Sequence, residues 1–165
     1  MFVLNIIGDI DDKAVERFTQ DIKQWNGIDD ILIQFDSIGG YVDSGFALMD
    51  IILSLRERVN VVATNIGNVM SAATIPFVAC NYRIFDINKG DFLIHQATLE
   101  GVDGNSDRLF EAAISTMNTD EGIAEFYSDV TGIDKDAYLE RMQLDTPLTK
   151  EEMIELKLVD EVLVQ

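Results

Sequence analysis

A chain of 165 residues with 47% hydrophobic and 25% charged residues suits one domain around a sizeable core, and nothing in it reads as disordered or repetitive. Thirty acidic residues against twelve basic ones give a formal net charge of −18, which repels phosphate backbones and anionic lipid. Nucleic acid and membrane surfaces are therefore not expected as partners, and the charge reads first as a device for solubility.

Other classes fall away on simple counts. The longest apolar runs, such as Ala72 to Cys80, are too short to cross a bilayer. The first residues carry no basic stretch of a secretory leader and run directly into a strand-like pattern. A single cysteine, Cys80, precludes an internal disulfide and fits a reducing compartment. One histidine and one cysteine offer no metal-ligand spacing, so no metal or other cofactor is expected.

In chain order, strands and helices alternate. Phe2 to Ile7 is an apolar strand ended by Gly8. Asp11 or Asp12 caps a helix to about Trp25, with Val15, Phe18, Ile22 and Trp25 on one face. Ile31 to Phe35 is a strand apolar enough for burial on both sides. The loop Asp36-Ser-Ile-Gly-Gly-Tyr follows, then a helix from about Asp43 to Leu55 with Phe46, Met49, Ile52 and Leu55 inward. Val59 to Ala63 is a third buried strand, and Gly67 opens a turn into a helix ending near Cys80. Tyr82 to Phe85 and Phe92 to Ile94 are short strands. A long helix spans about Ser106 to Val130, stopped by Thr131-Gly132, and a shorter one runs from Asp134 to about Met142. Thr149-Lys-Glu-Glu152 is a capping box that opens a last helix, and Val159 to Val164 closes as a strand.

This alternation predicts an α/β fold with a mostly parallel sheet, whose ligands sit at the carboxyl ends of the strands. Three places then concentrate chemistry. Ser71 stands at the start of an apolar helix, where free N–H groups favour an oxyanion; taken alone it is more ordinary as a helix cap. His95, the only histidine, ends the run Phe92-Leu-Ile and has the usual chemistry of a general base; taken alone it is more ordinary as a core histidine. Gly39-Gly40 permits positive φ or close backbone approach, and an N–H from that loop could join that of Ala72 in an oxyanion hole, although a plain tight turn is the commoner use. Asp145 is one of thirty acidic residues and carries no signal by itself.

The joint order of several segments adds more. Ile33-Gln-Phe-Asp-Ser-Ile-Gly-Gly-Tyr-Val-Asp-Ser-Gly resembles the strand and Asn-Ser-Pro-Gly-Gly loop of the Clp protease proteolytic subunit family. Gly67-Asn-Val-Met-Ser71 resembles its Gly-x-Ala-x-Ser segment, and Phe92-Leu-Ile-His-Gln96 its Met-Ile-His-Gln segment. Asp145-Thr-Pro-Leu-Thr-Lys-Glu-Glu and Leu158-Val-Asp160 resemble the family's C-terminal stretch, and the resemblance runs from Phe2 to Val164.

The resemblance implies a single peptidase domain over residues 1–165 with a crotonase-like Clp protease fold. It implies Ser71, His95 and Asp145 as a catalytic triad, and backbone N–H groups of Gly40 and Ala72 as the oxyanion hole. Gly39, Tyr41 and Val42, with Thr98–Val102, would hold a peptide or unfolded-protein substrate as an added strand. It also implies a homo-oligomer of heptameric or stacked rings joined through a protruding strand and helix, the handle, at about 96–130, working in the bacterial cytoplasm, with a phage-encoded role also consistent. The chain departs from the family pattern at Asp36, Ile38 and Ala72-Ala73, which stand where the family has Asn, Pro and Met-Gly. It starts at the first core strand, without the family's leading segment, and this leaves an ATPase unfoldase partner open. Two other readings share the fold: an inactive ring or shell subunit, and a crotonase-type enzyme acting on acyl-CoA.

Overall fold

The computed structural model describes residues 1–164. Its elements alternate as the sequence pattern predicts: β1 (Phe2–Ile7), α1 (Asp12–Ile22), β2 (Ile31–Ser37), α2 (Val42–Arg56), β3 (Val61–Met70), a 3₁₀ turn (Ser71–Ala73), α3 (Thr74–Val78), β4 (Tyr82–Asp86) and β5 (Phe92–Leu93), then α4 (Ser106–Thr131), α5 (Lys135–Met142), α6 (Lys150–Glu155) and β6 (Glu161–Leu163). The sheet runs β1-β2-β3-β4-β6, with β5 paired to β3, and every pairing is parallel.

Parallel strands covered by helices bury their side chains, and β2 is fully buried at alternate positions from Ile31 to Ser37. Four phenylalanines lock the centre. Phe77 of α3 meets Phe35, Phe92 and Phe85 edge-on at 5.2, 5.5 and 6.4 Å between ring centres. Such edge contacts add about 0.5–1.5 kcal/mol per pair beyond the area they bury. Helix ends obey local chemistry. Asp11 accepts the N–H of Ala14, Gly132 takes φ 75° after α4, and Thr149 and Glu152 form the expected capping box.

Several expected boundaries shift for physical reasons. The first helix ends at Ile22 rather than Trp25, where the Trp25 indole N–H reaches the Asp29 carbonyl and Arg58 lies over its ring. On α2 the buried line is Leu48, Ile52 and Leu55, while Phe46 and Met49 are half-buried and Phe46 meets Phe126 of α4. The last strand is confined to Glu161–Leu163, the residues that pair with β4. The segment between β5 and α4, where a handle strand is expected, pairs with no strand among the described residues.

The largest correction concerns the third strand. It does not end at Ala63 but continues through Gly67 to Met70. Between Phe35↔Asn65 and Ser37↔Val69 it gains two residues on β2, a bulge. Asn65, fully buried, donates to the carbonyls of Gly67 and Asp86 and accepts the Asp86 N–H. Asp36 accepts the N–H of Asn68 at 3.1 Å, and a side chain at Gly67 would overlap that carboxylate. The bulge therefore redirects the end of β3, which then pairs with β5 and delivers Ser71 beside the end of that strand.

Candidate active site

Ser71 follows the last residue of β3 and holds φ at 55°, a left-handed conformation rare outside glycine. The conformation has visible support. The Thr74 hydroxyl donates to the Ser71 carbonyl at 2.5 Å and lies 2.6 Å from the Tyr127 hydroxyl. Since the Thr74 proton is committed to Ser71, Tyr127 donates in the second bond. Burial pushes the Tyr127 phenol up, so it remains a proton donor throughout the neutral range.

Gly39 and Gly40 take φ values of 110° and 155°. A Cβ on Gly39 would stand 2.5 Å from the Ser71 Cβ, so this loop and the serine share space that only glycine leaves free. Gly40 bridges Ile10 through its neighbours: Ile10 N–H donates to Gly39 O, and Tyr41 N–H to Ile10 O. That pattern leaves the N–H of Gly40 outside the bridge.

His95 leaves the end of β5 and its Nε2 lies 2.7 Å from Ser71 Oγ. Its Nδ1 lies 3.3 Å from Asp145 Oδ1. A carboxylate only accepts, so a ring proton on Nδ1 would face Asp145 and leave Nε2 as the acceptor for the serine hydroxyl. The side chain of Asp145 is 72% exposed, against 25% for His95. Asp145 also takes a left-handed φ, 50°, in the loop between α5 and α6. That loop is tied to β5 by the Leu148 N–H donating to the Phe92 carbonyl at 2.8 Å. Arg141, buried, donates to the carbonyls of Thr146 and Pro147 and pairs with Glu152.

Gly40, Tyr41, Val42, Ser71 and His95 line one cleft of about 260 Å³, together with Ala97, Thr98 and Leu99. Gly39 packs on Ser71, Ala72 follows it fully enclosed, and Asp145 stands behind His95. Of the stretch Thr98–Val102, Thr98 and Leu99 reach the cleft, whereas Glu100, Gly101 and Val102 do not line it. Asp43 also lines the cleft, which carries no lysine or arginine among the described residues. Among the described residues no group of His, Cys, Asp or Glu is placed to hold a metal ion, and no helix is long and apolar enough to cross a membrane.

Sequence reasoning missed the supports of the site. Thr74, Tyr127 and Arg141 act through contacts that no local pattern announces. Asp120 is different. It lies on the helix face that buries Ile123, Ala124 and Tyr127, and accepts the Ala97 N–H at 2.6 Å. Burial raises its carboxyl above the usual range, opposed by that N–H and by His95. An acid in an apolar helical stripe was the available signal.

Comparison with known proteins agrees with this architecture. The ATP-dependent Clp protease proteolytic subunit 1 of Protochlamydia amoebophila (strain UWE25) is 32% identical over 134 residues, an overlap of 81% of this chain. The overlap is 65% of that protein, so the chain spans just under two thirds of the length of this relative. A solved ClpP1 mutant from Listeria monocytogenes has a TM-score of 0.82 at 22% identity, over 99% of this chain and 91% of that one, so the expected Clp protease fold is present. A family model described as Clp protease matches residues 2–165, and the chain accordingly belongs to the Clp protease family.

Proposed function

We propose that the chain is one peptidase domain and a serine endopeptidase, in which Ser71 is the nucleophile, His95 the general base and Asp145 the acid that orients it. The single observation that carries this reading is the continuous contact from Ser71 Oγ to His95 Nε2 at 2.7 Å and from His95 Nδ1 to Asp145 at 3.3 Å. Ser71 Oγ attacks the peptide carbonyl while Nε2 takes its proton. The imidazolium so formed is favoured by Asp145 and returns the proton to the leaving amine. The N–H groups of Gly40 and Ala72 receive the tetrahedral oxyanion, and water then releases the acyl group by the same steps. Gly39, Tyr41 and Val42 on one side, and Thr98 and Leu99 on another, would hold the substrate backbone in an extended form.

Ring assembly belongs to the same proposal. Leu109, Phe110, Ile114 and Met117 form an exposed apolar row on α4, an arrangement that suits contact with further copies of the chain. The cleft's lack of basic residues speaks against acyl-CoA, whose phosphates need cations. A bacterial cytoplasmic setting is part of what the family relationship suggests, and an ATPase unfoldase as supplier of unfolded protein is left open, as in the sequence.

The test is labelling with a fluorophosphonate, followed by intact mass, on each size-exclusion fraction. One adduct per chain is expected, lost in Ser71→Ala and in His95→Ala. No adduct in any oligomeric fraction would instead favour an inactive ring subunit.

A further inference from the structure

Asp120 lies mid-way along α4 and is 5% exposed. A carboxylate buried on an apolar face is costly unless donors meet it. The donor here is the Ala97 backbone N–H at 2.6 Å, a short, charge-assisted bond. Ala97 belongs to the segment between β5 and α4, which pairs with no strand among the described residues. The bond therefore fixes a stretch that lacks a ladder to hold it. Ala97, Thr98 and Leu99 are also a wall of the cleft, and Thr116 and Thr119 bring α4 to the same cleft.

We propose that Asp120 is a positioning residue of the site: by accepting the Ala97 N–H it holds residues 97–99 in place as the wall along which an extended substrate lies. The proposal rests on the peptidase reading above. The bond from Ala97 and the charge beside His95 are two separate effects of this carboxylate: the contact between Ser71 and His95 does not pass through the Ala97 bond, whereas the Asp120 charge does act on His95. Losing the acceptor should loosen the wall and weaken substrate binding while the nucleophile keeps its reactivity.

Two substitutions divide the acceptor from the charge. Asp120→Leu removes both and suits the apolar face, so the fold is kept; Asp120→Asn removes the charge but retains an amide oxygen that can accept the N–H. The parent protein and both variants are compared by amide hydrogen exchange over residues 96–101, by steady-state hydrolysis of a fluorogenic peptide, and by the rate of fluorophosphonate labelling. Asp120→Leu is expected to speed exchange in that stretch and to raise KM about tenfold, while any change in kcat or labelling that comes from the lost charge beside His95 should be equal, within about twofold, in Asp120→Leu and Asp120→Asn. Asp120→Asn is expected to restore protection and bring KM to within about threefold of the parent. Unchanged exchange in Asp120→Leu, a fall in kcat at constant KM, or an Asn variant whose KM is raised as far as that of the Leu variant would each overturn the proposal. A parent protein that neither labels nor cleaves would defeat the peptidase reading instead, and the exchange comparison would still decide whether Asp120 holds the wall.

Discussion

Ser71 is held in a backbone conformation that a serine adopts only at a cost, of order 1–3 kcal/mol, when its surroundings impose it. The surroundings here are specific: the Thr74 hydroxyl on the Ser71 carbonyl, and the Tyr127 hydroxyl behind Thr74. Thr74 and Tyr127 are both fully buried, so neither can exchange its partner for water. Thr74→Val keeps the volume but strands the Tyr127 hydroxyl and the Ser71 carbonyl. It is expected to destabilise the fold by about 1–3 kcal/mol and to slow labelling of Ser71. Urea unfolding and labelling rates check the two effects, and a variant as stable and as reactive as the parent would mean that other contacts hold Ser71 in place. Tyr127→Phe strands only the Thr74 oxygen and should cost less. At this scale the sequence was unevenly legible. Ser71 and His95 could be picked out because each follows a strand-like run, where parallel sheets place their chemistry. Asp145 could not, being one of thirty acids in a loop; only its resemblance to a family stretch marked it.

At the scale of elements, the loop carrying Asp145 is anchored at several points. Leu148 binds it to β5, Arg141 of α5 holds the carbonyls of Thr146 and Pro147, and Glu152 of α6 pairs with Arg141 while accepting the Thr149 N–H. The Arg141 guanidinium, followed by the Thr149 N–H, holds the Glu152 carboxyl below the usual glutamate range. A carboxyl lowered in the folded state stabilises it fully above the ordinary glutamate pKa, and loses that contribution as the pH falls through the lower, folded value. Glu152→Gln should therefore melt below the parent at neutral pH, and the difference should shrink as the pH falls towards about 3. Thermal melts across that range decide it: a gap independent of pH would mean that the charge of Glu152 is not what matters. The capping box at Thr149 was readable because it is written within four residues. The course of β3 was not. Gly67 looks like a turn residue in the sequence, and only the fold reveals that its missing side chain makes room for the Asp36 carboxylate from β2. Arg141 was hidden for the same reason, since its partners gather only when α5, the loop and α6 come together.

For the whole molecule, two features oppose each other. A net charge of −18 on 165 residues makes copies repel, while the apolar row Leu109, Phe110, Ile114 and Met117 gains from being covered. Repulsion between exposed charges is screened by salt, with a Debye length of about 30 Å at roughly 0.01 M and about 8 Å at roughly 0.15 M. Burial of apolar surface is not weakened by the same change. Assembly should therefore strengthen as salt is raised: light scattering is expected to find more of the 18.5 kDa monomer at low ionic strength and larger species at physiological strength. Replacing Phe110 and Met117 together by serine should shift the balance back to monomer at every salt concentration, because the attractive surface is lost and the charge is unchanged. If mass does not respond to salt, electrostatic repulsion is not what limits association. If the double variant assembles as well as the parent, the contact lies elsewhere than on α4. Labelling of the same fractions then links scale to chemistry: adducts confined to the larger species would mean that the pairing of Ser71, His95 and the exposed Asp145 depends on neighbours, and adducts in the monomer would mean that one chain is sufficient.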